Sequence, residues 1–121
     1  MGAFKKNPED DYPDYISRAA AEVSNNPQNS LGIVLGGSGE GEAMVANKFR
    51  HIRATVYYGG NTDILKLSRE HNDANILSLG ARFLTEEQAK KAIKQWLTYH
   101  ISLEERHARR IRKLDAIEKT L

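Results

Sequence analysis

The sequence has no cysteine among its 121 residues. That excludes a disulfide framework, a thiolate metal site and a cysteine nucleophile. An excess of one charge is also lacking: 18 Lys and Arg against 16 Asp and Glu leave a formal net charge of +2. A field that weak does not by itself attract nucleic acid or a membrane surface. No apolar run approaches the roughly 20 residues that cross a bilayer, and the N-terminus does not read as a secretory leader. Internal repeats and low-complexity tracts are absent. A chain of this length holds one domain at most. These absences together set the expectation of a soluble, cytoplasmic, single-domain protein over residues 1–121. Residues 1–11 are expected to form a loop or arm, and 103–121 a basic C-terminal helix.

What is present centres on Leu31 to Lys48. The apolar run Leu31 to Leu35 predicts a short strand buried on both faces. Gly36-Gly37-Ser38-Gly39 predicts a tight turn, and Glu40 and Glu42 open a helix reaching to about Phe49. Such a strand, loop and helix start is a common place to hold a small anion. Before it, Tyr12-Pro13-Asp14-Tyr15 predicts a helix start, because Pro suits a first turn and Asp the positive end of the dipole. After it, Arg53 to Tyr58 and Asn75 to Leu79 predict two more strands. Thr62 is expected to cap a helix with Ile64, Leu67 and His71 on its apolar face. Thr85 and Gln88 predict a capping box, ahead of a stripe formed by Ala89, Ala92, Ile93, Trp96 and Leu97. Alternating strands and helices imply a parallel α/β sheet. Only three strands are visible, which is thin for such a sheet.

Several residues could carry chemistry. The glycines Gly37, Gly39 and Gly41 do not match the dinucleotide spacing, and no Lys-Ser/Thr pair follows to make a phosphate loop. Glu40 and Glu42 disfavour a phosphate at that turn, since like charges repel. They would suit a neutral or protonated group, or serve only to complement the helix dipole. His71 precedes a strand, whereas ligands of open α/β sheets bind where strands end. On its own it reads as a helix-terminal histidine. Arg106 and Arg110 lie one turn apart on one helix face, so their guanidinium forks can grip one phosphate. A solvated basic face, with Glu104, Glu105, Asp115 and Glu118 as partners, is the plainer reading. Interleaved acids also argue against nucleic acid.

Taken in order, these pieces resemble a known family. Asp11 to Tyr15, Gly36 to Glu42 with Ala46-Asn47-Lys48, Ile52-Arg53-Ala54, Arg69 to Asn75, Gly80-Ala81-Arg82 and Arg106 to Arg110 are similar to motifs of ribose-5-phosphate isomerase B and the galactose-6-phosphate isomerase subunits. The resemblance runs from about Asp11 to Leu114. It implies a Rossmann-like α/β fold, a three-layer α/β/α sandwich. It also implies a homodimer or homotetramer whose active site lies at a subunit interface, with no metal or organic cofactor. The implied partner is a small-molecule sugar phosphate, with neither nucleic acid nor membrane.

The implied reaction interconverts an aldose and a ketose phosphate through an enediolate, most simply ribose 5-phosphate and ribulose 5-phosphate in pentose phosphate metabolism. One branch of the family carries a Cys at the position of Gly36. This sequence resembles the other branch, in which Glu42 would be the base. The amides of Gly37, Gly39 and Gly41 would hold the enediolate, and Ser38 a sugar oxygen. His71 would open the sugar ring and Asn72 would hold a hydroxyl. Tyr12 would line the site, Arg106 and Arg110 would bind the phosphate with His107 nearby, and Arg82 matches a family position without a clear role. Family members start with a further strand ending in an Asp-His pair, then a helix and a second strand. Met1-Gly2-Ala3-Phe4 resembles the loop after that portion. The expectation is an N-terminally incomplete sheet, with weak or no turnover by the short form. The alternative is a non-catalytic sugar-phosphate-binding chain, or the partner subunit of a hetero-oligomeric isomerase.

Overall fold

The computed structural model describes residues 1–121. Residues 1–11 are exposed and hold no helix or strand. Helix α1 runs Tyr12–Asn25, with Pro13 in its first turn and Asp14 at its positive end. Strand β1 (Gly32–Gly36), helix α2 (Glu40–Ala46) and strand β2 (Ala54–Tyr57) follow. Helix α3 (Asp63–Glu70), strand β3 (Ile76–Gly80), helix α4 (Glu86–Leu97) and helix α5 (Glu105–Glu118) complete the chain.

The sheet is parallel, in the order β1-β3-β2. Gly32 pairs with Ile76 and Gly36 with Gly80, so β1 and β3 start and end level. Every residue of β3 is buried. Successive side chains point to opposite faces, and the core divides accordingly. Ile76 joins Val34 and Ile52 under α1 and α2, through Ile16, Ala20, Val23 and Ala46. Leu77 and Leu79 join Tyr57 under α3 and α4, through Leu65, Ala92 and Trp96. The Trp96 indole N–H donates to Ser68 Oγ at 3.1 Å, so the largest buried ring keeps its hydrogen bond. The result is the three-layer Rossmann-like sandwich that the sequence predicts.

Several local expectations change. Strand β1 is not buried on both faces: Val34 is, but Leu31 and Leu35 are 43% and 55% exposed. It is an edge strand, paired only with β3. Helix α2 stops at Ala46 rather than Phe49. There the Asn47 side chain turns to β2, its Oδ1 accepting from the Ala54 amide and its Nδ2 donating to the Ala54 carbonyl. Thr62 does not cap α3; Asn61 Oδ1 accepts the Asp63 amide at 2.9 Å instead. The predicted apolar face of α3 is also the wrong one. Leu65 and Ser68 are buried because Trp96 of α4 packs there, while Ile64 and Leu67 stay half exposed. The Thr85–Gln88 capping box forms as expected, with both reciprocal bonds present.

Helix α5 sits apart from the sandwich and buries only His107 and Ile111. Asp115 approaches Arg53 at 4.0 Å, and the Glu118 carboxylate accepts the His51 amide at 3.0 and 3.1 Å. No helix is long and apolar enough to cross a membrane.

Candidate active site

The glycine turn lies where β1 ends, beside the end of β3. The Ala81 amide donates to the Gly36 carbonyl at 2.8 Å and the Arg82 amide to the Gly37 carbonyl at 3.0 Å. Gly39 takes φ +82, a left-handed conformation that glycine adopts without strain. Its carbonyl accepts from Ser78 Oγ at 2.7 Å, which pins the loop to the central strand. The Ser38 hydroxyl oxygen accepts the Glu40 amide at 3.1 Å, leaving its own proton to donate elsewhere. The amides of Gly37, Ser38, Gly39, Gly41 and Glu42 donate to no acceptor of the chain. They are backbone donors left free around a helix start.

Glu42 stands on the first turn of α2 and is 6% exposed, whereas Glu40 is exposed. The Glu42 carboxylate lies over the Cα of Gly36, and a Cβ added there would overlap it. Gly36 is therefore not only a turn residue. Its missing side chain is the space that the carboxylate fills, which the sequence reading missed. The available signal was a glycine at a strand end followed six residues later by a glutamate. Tyr12 crosses Gly41, where an added Cβ would collide with its hydroxyl. The Arg82 guanidinium lies over Gly37, 3.0 Å from where a Cβ would stand. Tyr12, Ser38, Gly37, Gly39, Gly41, Glu42 and Arg82 thus form one group.

The remaining candidates are elsewhere. His71 ends α3, and Asn72 is exposed just beyond it, both before β3. His71 stacks on His107 of α5, with ring centroids 4.0 Å apart and planes at 27°. Arg106 and Arg110 are exposed on the same helix. Arg106 pairs with Glu104 at 2.8 Å and its Nε–H donates to His107 Nε2 at 3.3 Å. His107 is 3% exposed, and its Nδ1 has no partner. His71, Asn72, Arg106, His107 and Arg110 form a second group at the starting end of the sheet. Four residue steps of parallel strand, about 13 Å, separate that end from the first group.

No group of three or more His, Asp or Glu side chains converges in a way that could hold a metal ion. The titratable feature of the second group is His107. Burial pushes its pKa below the usual histidine range, and neighbouring His71, Arg106 and Arg110 act the same way, while Glu104 opposes them. The unfolded chain, with a value near 6.5, therefore binds more protons as pH falls. This contribution to stability is full above that pH and is lost on acidification. Melting temperatures between about pH 7 and 5 should accordingly drop more steeply for the parent than for His107→Gln. Parallel curves would remove His107 as the cause.

A second expectation concerns Gly36. Gly36→Ala places a methyl in the volume of the Glu42 carboxylate. Overpacking of that kind costs about 1–3 kcal/mol. Where a carboxylate is the reacting group, displacing it by an ångström lowers turnover by about 10²-fold. An unchanged kcat in this variant would mean that the carboxylate works from another position.

A parallel α/β sandwich with a buried carboxylate beside bare amides, where the strands end, defines a class: a Rossmann-like domain with a candidate acid–base site. Residues 1–114 match the family model described as Ribose/Galactose Isomerase, and the chain belongs to that family. It is 40% identical over 119 residues to ribose-5-phosphate isomerase B of Mycolicibacterium paratuberculosis, covering 98% of this chain and 73% of that protein. Against the Escherichia coli protein of the same name the identity is 38%, with 90% and 70% covered. The crystal structure of ribose-5-phosphate isomerase B from Mycoplasma genitalium with bound ribulose-5-phosphate superimposes with a TM-score of 0.92. Its identity is 33%, and the match covers all of this chain and 78% of that one. A Trypanosoma cruzi type B enzyme gives 0.85 at 40% identity, with 96% and 74% covered.

Proposed function

We propose that this chain isomerises ribose 5-phosphate to ribulose 5-phosphate, with the site assembled from two copies. The observation that carries the chemistry is the buried Glu42 carboxylate beside donors that have no other acceptor. A positioned carboxylate removes the C2 proton of the open-chain aldose. Negative charge moves to O1, where the loop amides stabilise it. Arg82, lying over the same loop, adds a cation to that side. The carboxylic acid then returns the proton to C1. O2 gives up its proton to become the ketone as O1 gains one, and the Ser38 hydroxyl holds one of these oxygens.

Binding and ring opening fall to the other group. His71 exchanges the proton that opens the furanose, and Asn72 holds a hydroxyl. Arg106 and Arg110 clasp the phosphate, and Nδ1 of His107 gains an acceptor there, which a buried donor requires. An open five-carbon phosphate spans six single bonds from C1 to phosphorus, at most about 9 Å. That is shorter than the sheet separating the two groups in one chain. In this reading a second copy brings its His71 and Arg106/Arg110 group to the Glu42 of the first, and the length of the sheet between the two groups supports it. The unpartnered Ile64 and Leu67 on α3 and Leu114 and Ile117 on α5 give such an assembly apolar surface to cover. The same reading includes cytoplasmic residence and a homodimer or homotetramer.

Ribose 5-phosphate incubated with the protein in deuterium oxide tests the proposal at low turnover. Deuterium should enter carbon-bound positions at C1 of the ketose and C2 of the returned aldose. Exchange no faster than with heat-denatured protein would sink it.

A further inference from the structure

We infer that Arg53 is a positioning residue: it holds the turn carrying His71 and Asn72 in register with helix α5. Arg53 stands just before β2, with its side chain 19% exposed. Its Nε–H donates to the Asp73 carbonyl at 2.8 Å and its Nη2 to Asp73 Oδ2 at 3.2 Å. Its Nη1 faces Asp115 of α5 at 4.0 Å. The Arg53 backbone is tied to the same turn, its amide donating to Asn75 Oδ1 at 2.8 Å and its carbonyl accepting the Asn75 amide at 2.9 Å. One fork thus spans two elements, and those elements carry the stacked rings of His71 and His107.

The turn needs such a holder. Asp73 has φ 48 and His51 has φ 66, the two left-handed residues of the chain that are not glycine. Backbone of that kind persists only where its surroundings over-determine it. Asp73 is held by Arg53 through one carboxylate oxygen, while the other lies 3.8 Å from Arg69 Nη1. Buried Arg69 in turn donates to the carbonyls of Tyr99 and Ala74. At the other left-handed residue, the His51 carbonyl accepts from Asn75 Nδ2 at 2.7 Å. Helix α5, with only two buried side chains, has few other contacts to fix it over the turn.

A polar cavity of about 640 Å³ borders these residues, but it does not read as an anion site. The charges of Arg53 and Arg69 are met by Asp73 and Asp115. The network spends its charge on geometry.

The kinetic consequence rests on the proposed role of His71; the placement does not. Arg53→Lys keeps the charge but cannot span both carboxylates with a planar fork. Its melting temperature should fall, because the bond to the Asp73 carbonyl is lost, with the domain still folded under assay conditions. The histidine ring-proton signals of His71 and His107 should shift downfield as their mutual shielding is lost. Asp115→Asn cuts only the helix link, and should move the ring signals of both histidines, since the shielding is mutual, while leaving the backbone amide signals of the Asp73 turn in place. For ribose 5-phosphate, kcat/KM should fall about tenfold in Arg53→Lys, and far less when the change is made in His71→Ala. Unmoved ring signals in folded Arg53→Lys and Asp115→Asn would overturn the placement. An equal kinetic loss with and without His71 would overturn its route through that residue. A protein without turnover would refute the functional reading and still leave the ring signals to decide this one.

Discussion

Glu42→Gln is expected to lower kcat by on the order of 10³-fold while leaving the fold intact. Proton transfer by a positioned group contributes about 10²–10⁴ in rate, and 10³-fold corresponds to about 4 kcal/mol of barrier. Glutamine matches glutamate in shape, so it can occupy the same space over Gly36. It cannot take up the proton. KM should change little under the proposed assignment of the phosphate to Arg106 and Arg110. Circular dichroism and the melting temperature check that the domain persists, and the rate of ribulose 5-phosphate formation reads the effect. Glu40→Gln is the control. Glu40 is exposed on the same turn, so the rate should stay within a few-fold. Undiminished turnover in Glu42→Gln would place the base elsewhere. Equal losses in both variants would mean that the charge of the turn matters rather than one carboxylate.

The parts of this fold that a linear reading finds are those set by local chemistry. Thr85 and Gln88 satisfy each other's backbone within one turn, so their box is visible in the sequence and present in the structure. The glycine turn is equally local, because a left-handed Gly39 and a strand end leave few other outcomes. What fails is decided by distant partners. Helix α3 carries apolar residues at Ile64, Leu65 and Leu67, and only the arrival of Trp96 selects Leu65. Leu35 reads as core, and is exposed because no helix covers that face of the edge strand.

The site follows the same division. Glu42 and its loop are contiguous in sequence, so the motif carries them together. Arg53 and Asp73 lie within quoted motifs but receive no role there, because their meaning is a contact across twenty residues. The split of the site was legible in principle. In a parallel sheet, a glutamate after one strand and a histidine before another must lie at opposite ends.

That split yields the other large expected effect. Glu42→Gln and His71→Ala should each be nearly inactive alone, and mixing them should restore about a quarter of the parent activity. The arithmetic follows from isologous pairing, in which each copy offers the same surface to the other. Random exchange makes about half of the dimers mixed. Each mixed dimer has one site combining the native Glu42 of one chain with the native His71 of the other. Its second site combines both substitutions and is dead. The two chains would be mixed at low concentration, given time to exchange, concentrated and assayed. Recovery should rise with exchange time and approach its plateau at equal proportions. If one chain supplied both groups to the same site, every site would keep a substitution and mixing would restore nothing. Restoration therefore reports that the site is shared, and no property of either variant alone imitates it. The result also bears on Arg106 and Arg110, which share α5 with His107. Variants of either arginine should complement Glu42→Gln and fail to complement His71→Ala, because they lie in the half-site that His71→Ala already damages.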